Sequence, residues 1–367
     1  MTQSDLDRRF MAQALALAQR GLGYVEPNPP VGCVLVRDGA PVGVGWHQQF
    51  GGPHAEIVAL EAAGEQAAGA TAYVTLEPCA HRGKTGPCVD ALIAAGVTRV
   101  VVGVTDPNPH VDGRGLATLR AAQIQVDVGV DEPAAAALIA PFAKLQTTGL
   151  PWVVAKWAMT LDGKIASRTG SSQWISNGAS RDIVHQLRGR MDAIVVGSGT
   201  LLADDPLLTA RPAGPRVATR VVLDRRGRFP VDCQLLRTID AGPVLAVLGR
   251  EADRATAKWL TARGVECFRV EATSDHDALA EVLGEFGRRQ WTNVLFEGGG
   301  EVLGALLDIH QLDEVHVFMA PKLIGGREAA SPMAGEGIAQ MPEAICLSDS
   351  QVEVVEGDVY VHGRLAK

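Results

Sequence analysis

Four residues in the first quarter of the chain have the types and spacing for metal-assisted hydrolysis: His54, Glu56, Cys79 and Cys88. One histidine and two cysteines can hold zinc and leave its fourth position open to water. Glu56 lies two residues past the histidine. It is free to move protons between water and a leaving group.

Taken together these residues follow the pattern of zinc-dependent base deaminases, His-x-Glu and then Pro-Cys-x-x-Cys. Here Pro78-Cys79 is followed by eight residues before Cys88, so the last interval is longer. Two plainer explanations stand beside this one. Free cysteines pack as small hydrophobes, so these residues can be core. A purely structural zinc would want a fourth protein ligand, and no further cysteine lies nearby. The polar segment 80–87 between the cysteines is poor core material.

The flanking pattern supplies elements that would position the cluster. An alanine-rich amphipathic helix is expected over residues 7–20, ended by Gly21 and Gly23. Asp38-Gly39 between two apolar runs predicts a hairpin. Residues 54–63 read as a helix with His54 and Glu56 in its first turn, and 72–76 as a strand leading to Cys79. Cys88 opens another helix, and 97–104 and 124–128 read as strands. This alternation implies α/β architecture with helices on both faces of a sheet. A boundary falls in the turn-rich stretch 146–151, giving domains 1–147 and 148–367.

The second half begins a new α/β pattern, with strands expected at 152–159, 193–196, 217–223, 244–248, 294–297 and 314–319 and a helix at 179–188. Two of these strands run into glycine turns, at Gly197-Ser198-Gly199-Thr200 and Gly298-Gly299-Gly300. Such turns let backbone N–H groups approach an anion at a helix start. They are also common after any strand. Arg225-Arg226 follow one strand, where they can grip a 2′-phosphate or form a solvated turn. Arg188 and Arg211 can bind a substrate phosphate by bidentate contacts, or be surface cations. Lys156 and Asp204 are polar candidates for the chemistry or merely for positioning.

At 367 residues, 47% hydrophobic and 21% charged, the chain suits two folded cores. A net charge of −8 argues against a nucleic-acid surface. No apolar run reaches membrane-spanning length, and the N-terminus lacks the apolar core of a signal peptide. Cys33, Cys233, Cys267 and Cys346 read as buried thiols in a reducing cytoplasm. The expected setting is cytoplasmic, with no membrane and no nucleic-acid partner, and with a homo-oligomer as the expected assembly.

The whole chain resembles the bifunctional deaminase–reductases of riboflavin biosynthesis. In the first half the resemblance rests on Pro27-Asn28-Pro29-Pro30-Val31-Gly32, Pro53-His54-Ala55-Glu56, Thr75-Leu76-Glu77-Pro78-Cys79, His81, Gly83-Lys84-Thr85, Pro87-Cys88, Asp106-Pro107-Asn108-Pro109 and Gly113-Arg114-Gly115. In the second half it rests on Lys156, Met159 through Lys164, Ser172-Gln173-Trp174, Leu201 through Pro206, and Glu297-Gly298-Gly299-Gly300. It implies two three-layer α/β domains, the first like cytidine deaminase and the second like dihydrofolate reductase. It also accounts for the longer interval between the cysteines. Gly86 departs from the proline common in relatives.

By the same resemblance one Zn²⁺ is held by His54, Cys79 and Cys88, with Glu56 catalytic. Asn28, His47, His81 and Lys84 would contact the pyrimidine substrate. NADPH would be contacted by Ala158, Trp174, Thr200, Asp204 and the turn Gly299, Gly300, Glu301, Val302, Leu303, Gly304 and Ala305; Arg225 joins them from its place after a strand and not from the resemblance, since relatives vary there. The phosphoribosyl substrate would be contacted by Ser172, Arg188, Leu208, Arg211 and Glu297, with Lys156 added as a polar candidate beside it. The implied reactions are hydrolytic deamination of a phosphoribosylamino-pyrimidine and NADPH-dependent reduction of its ribosyl group. The residues alone leave other classes open: a nucleobase or nucleoside deaminase with a non-reductive second domain, a tRNA-editing deaminase, or a binding protein.

Overall fold

The computed structural model describes residues 2–80, 86–108 and 113–366. It divides into two units, one ending at Gly149 and the other beginning at Leu150. In the first, α1 (Gln3–Ala18) starts at a capping box between Thr2 and Asp5. The hairpin strands β1 (Gly32–Arg37) and β2 (Ala40–Trp46) turn at Asp38 and Gly39, both with positive φ (+54° and +77°). Asp-Gly is the pair that tolerates this twist.

Next come α2 (Ala55–Ala63), β3 (Thr71–Leu76), α3 (Cys88–Ala94), β4 (Arg99–Val104), α4 (Arg114–Ala121), β5 (Gln125–Val128) and α5 (Glu132–Thr148). The sheet runs β2-β1-β3-β4-β5, antiparallel at β2-β1-β3 and parallel beyond. Strand alternation divides its side chains between two cores. Cys33 and Leu35 join α2, α3 and α4 on one face, whereas Val34 and Val36 meet Phe10, Met11 and Ala14 of α1 on the other.

α5 was not anticipated, and the boundary expected at 146–151 overlaps its last turn. The helix carries Pro141 in its interior and a proline in its first turn, and its alanine run shows little contrast between faces. An interior proline reads as a breaker, which tertiary packing here overrides.

In the second unit the elements are β6 (Trp152–Thr160), α6 (Gly178–Arg188), β7 (Ala193–Gly197), α7 (Ser198–Asp204), β8 (Thr219–Asp224), α8 (Gln234–Arg237), β9 (Val244–Gly249), α9 (Arg254–Thr261), β10 (Glu266–Val270), α10 (Asp275–Arg288), β11 (Asn293–Glu297), α11 (Gly300–Asp308), β12 (Glu314–Ala320), β13 (Gln351–Val355) and β14 (Asp358–Arg364). The sheet order is β10-β9-β8-β7-β11-β6-β12-β14-β13, parallel except at its β14 and β13 edge. Its main core packs α10 and α11 on one face, and Val184 of α6 packs with Phe318 and Tyr360 in a second cluster.

All six cysteines are unbridged. Cys33 and Cys233 are buried as expected, but Cys267 is only half-buried and Cys346 is exposed. Cys346 lies in the long irregular stretch between β12 and β13, where no ladder draws its side chain inward. Among the described residues no helix is long and apolar enough to cross a membrane.

Candidate active sites

Three element ends meet at the first site. His54 is the N-cap of α2, Cys88 is the first residue of α3, and Cys79 lies just past β3. His54 Nδ1 is 3.2 Å from Cys88 Sγ and 3.6 Å from Cys79 Sγ, and one ligand atom from each residue lies within 4.8 Å of the others. Borderline nitrogen and soft sulfur donors at this spacing suit a zinc ion with three protein ligands. Hydrogen bonding from Cys88 pulls the Cys79 thiol well down, and that negative neighbour pushes Cys88 up. His54 is raised, chiefly by its hydrogen bond with Cys79.

Glu56 follows on the first turn of α2 and is only 3% exposed. Burial pushes its carboxyl up to about 7. Asn28 and His47 stand close by, with Asn28 Nδ2 3.2 Å from His47 Nε2. His47 Nδ1 donates to the Pro53 carbonyl at 2.9 Å, so Nε2 is the acceptor for the Asn28 amide. That fixes the amide's orientation. His81 and Lys84 lie outside the described residues.

Sequence reasoning quoted Glu77 without giving it a role. Its buried carboxylate accepts four backbone N–H groups, from Asp106, Gly113, Gly115 and Leu116, at 2.9–3.3 Å. It thereby ties the segment bearing Cys79 to the start of α4. An acidic residue just past a strand, with Gly113 and Gly115 downstream, was the available signal.

In the second unit Lys156 of β6 and Glu297 of β11 are register partners on adjacent parallel strands. Arg188 of α6 grips Glu297 with Nε and Nη2 at 2.6 and 2.8 Å. Burial alone would raise Glu297, but Arg188 and then Lys156 hold it down to about 2. Burial lowers Lys156, whose ammonium lies 4.0 Å from Glu297. Arg188 is therefore not an open fork awaiting phosphate: its third nitrogen donates to the Thr209 carbonyl at 3.2 Å. Arg211 is the exposed cation of the pair, 3.4 Å from His185. Ser172 donates to Asp204 at 2.7 Å, Leu208 is buried at positive φ, and Trp174 is exposed beneath Arg181.

A cavity of about 650 Å³ opens beside the carboxyl ends of β7 to β11, where open α/β sheets bind ligands. Thr200, Arg225, Gly299, Glu301, Val302 and Ala305 line it. Gly298 and Gly299 both have positive φ, +72° and +80°, which keeps that turn free of side chains. Leu303 points instead into the core. Gly300 and Gly304 lie against the backbone of 331–335. Ala158, Trp174 and Asp204 are not in its lining.

Residues 4–104 match the family described as the cytidine and deoxycytidylate deaminase zinc-binding region, and residues 151–361 match the RibD C-terminal domain. The riboflavin biosynthesis protein RibD of Actinobacillus pleuropneumoniae is 40% identical over 359 residues, covering 98% of this chain and 94% of the relative. The chain belongs to the RibD family. RibD of Escherichia coli K12 is 39% identical across 97% of this chain and 98% of that one. RibD of Acinetobacter baumannii superposes over 100% of both chains with a TM-score of 0.87 at 36% identity. A Thermotoga maritima diaminohydroxyphosphoribosylaminopyrimidine deaminase/5-amino-6-(5-phosphoribosylamino)uracil reductase does so with 0.85 at 35%. The chain is accordingly a bifunctional deaminase–reductase of riboflavin biosynthesis, with a zinc-binding deaminase unit first and a reductase unit second.

Proposed function

We propose that this protein hydrolytically deaminates 2,5-diamino-6-(5-phosphoribosylamino)pyrimidin-4(3H)-one. It then reduces the ribosyl group of the product with NADPH, giving 5-amino-6-(5-phosphoribitylamino)uracil. The observation that carries the reading is the convergence of His54, Cys79 and Cys88 beside the buried carboxyl of Glu56.

A zinc ion held by these three residues supplies Lewis acidity that makes water nucleophilic at neutral pH. Glu56 would accept one proton of the water and deliver it to the ring nitrogen, then carry the proton of the added hydroxyl to the amine, which leaves as ammonia. Asn28, oriented by His47, presents its amide oxygen to the pyrimidine. Glu77 keeps Cys79 in register with the start of α4.

In the second unit NADPH supplies hydride when bound, and the protein orients the sugar against it. Thr200 and the Gly298–Gly300 turn border the dinucleotide. Lys156, Glu297 and Arg188 form a fixed polar cluster at the end of β11 for the ribosyl group, and Arg211 meets the phosphate. The reading places the chain in the cytoplasm and pairs it with copies of itself. Support for self-association is the edge strand β13, which exposes Val352 and Val354.

The test measures two products from one preparation. Ammonia release should depend on one zinc per chain, and NADPH consumption should require the deaminated compound. Ammonia release without any NADPH consumption would leave only the deaminase half standing.

A further inference from the structure

The turn that Thr160 to Lys164 form at the end of β6 is the base of a clamp. Thr160 Oγ1 accepts the Lys164 N–H at 3.0 Å and donates to Asp162 Oδ1 at 2.6 Å. Asp162 accepts the Gly325 N–H at 2.7 Å, and the Leu161 N–H donates to the Lys322 carbonyl at 2.9 Å. The turn after β6 thereby fixes the segment after β12, from which the exposed Lys322 side chain reaches out.

The Lys322 ammonium donates to two neighbouring carbonyls, Trp174 at 2.7 Å and Ile175 at 2.6 Å. Arg181 Nη1 donates to the next one, Ser176, at 2.7 Å, and its guanidinium lies 4.6 Å from the centre of the Trp174 ring. Three consecutive carbonyls of an irregular segment are therefore held by cations. Trp174 itself is 65% exposed, so burial does not fix it. Two residues earlier Ser172 Oγ donates to Asp204 Oδ1 at 2.7 Å, at the end of α7. α7 follows β7 and Lys322 follows β12, and β11 and β6 lie between those two strands in the sheet. All four strands are parallel, so their carboxyl ends share one edge. The strap 172–176 is anchored along that edge, where β11 ends at Glu297, the register partner of Lys156.

We infer that Lys322 is a positioning residue of the reductase unit, acting through the strap that it holds beside the Lys156–Glu297 cluster. The inference rests on the reading of that cluster as the place where the ribosyl group is reduced. An irregular surface segment is ordinarily mobile, and a site that is formed only part of the time binds its ligand more weakly by that fraction. An ammonium clamped on two carbonyls removes this penalty without touching the substrate, and charge-assisted hydrogen bonds are the stronger kind. Loss of the ammonium therefore shows in binding and not in the chemical step, because saturating substrate draws the strap back into place.

Steady-state reduction of the deaminated compound by the full chain with NADPH tests the assignment. Lys322→Met keeps the stem and removes the ammonium. Its KM for the deaminated compound should rise by about tenfold to a hundredfold, the scale of a charged hydrogen bond. Its kcat should stay within about twofold of wild type, as a loss of binding alone requires. Lys322→Arg, whose fork presents several donors, should recover most of the loss. Ammonia release should match wild type in both variants. With 5-fluorotryptophan incorporated, the Trp174 signal, assigned by Trp174→Phe, should shift in Lys322→Met alone. An unchanged KM or an unmoved Trp174 signal in Lys322→Met overturns the assignment. So does a loss confined to kcat, an equal fall in ammonia release, or an arginine variant as impaired as the methionine one. A wild-type chain that consumes no NADPH overturns the reductase reading, and the inference with it.

Discussion

Gly45 of β2 lies directly against Ala55, the first residue of the helix that carries Glu56. A Cβ on Gly45 would stand 2.6 Å from the Ala59 nitrogen and closer still to the Ala55 carbonyl oxygen. Gly43 meets Ala59 and Ala63 in the same way, so a glycine strand accepts an alanine face. This close approach seats both His54 and Glu56. Gly45→Val should push α2 off the sheet and cost about 1–3 kcal/mol through overpacking. Zinc content and deamination should fall together, while NADPH binding by the second unit persists. A variant with full zinc and full deamination would show that the contact is dispensable.

Cys79→Ser and Cys88→Ser should each lose most of the bound metal, because each removes a soft donor. Chelation of the wild type should abolish ammonia release while reduction of pre-deaminated substrate continues. Stoichiometric zinc in both variants, measured by atomic absorption, would falsify the ligand assignment.

Glu56→Gln keeps the size of the side chain and removes its ability to carry a proton. Zinc should remain, and deaminase turnover should fall by about 10²–10⁴, the usual contribution of a positioned proton-transfer group. A loss smaller than about tenfold contradicts the shuttle.

Gly299 adopts φ +80°, a conformation that a β-branched residue resists, and it borders the cavity. Gly299→Val should block NADPH binding sterically and leave zinc content and deamination unchanged. Undiminished affinity in a fluorescence titration would move the cofactor away from this turn.

Asp7 receives two hydrogen bonds of 2.8 Å from Arg99 and a third from Tyr73, joining α1 to the sheet. The Arg99 bonds chiefly hold its carboxyl down to about 2 from an ordinary 3.8. Because the folded value is depressed, the stabilisation is complete above the ordinary value and is lost as pH falls toward about 2. It amounts to about 2 kcal/mol. Asp7→Asn should lower Tm at pH 7, and the gap to wild type should close between about pH 4 and 2. A gap that stays constant across that range would show that Asp7 contributes through packing instead.

Much of the first unit was legible because its signals are local. A strand, a turn and a helix start each announce themselves within a few residues, as Asp38-Gly39 does between β1 and β2. α5 was missed because its internal proline reads locally as a stop. The β13–β14 hairpin, which turns at Glu356 and Gly357 with positive φ, and β10 were missed as well. These strands are only 5–7 residues long and carry too little periodicity to stand out.

The chemistry on offer is legible in the residues alone: His54, Glu56, Cys79 and Cys88 have the donor types and order for zinc hydrolysis, and their identity does not depend on what folds around them. Which charges are committed emerges only once the chain is folded. Arg188 is taken by Glu297, 109 positions away, and Arg225 by Asp275, 50 positions away, whereas Arg211, bonded to Thr209, pairs with no carboxylate among the described residues. The reason is physical. A residue type states what a side chain can bind, but its partner is chosen by strands and helices brought together over separations that no local pattern records.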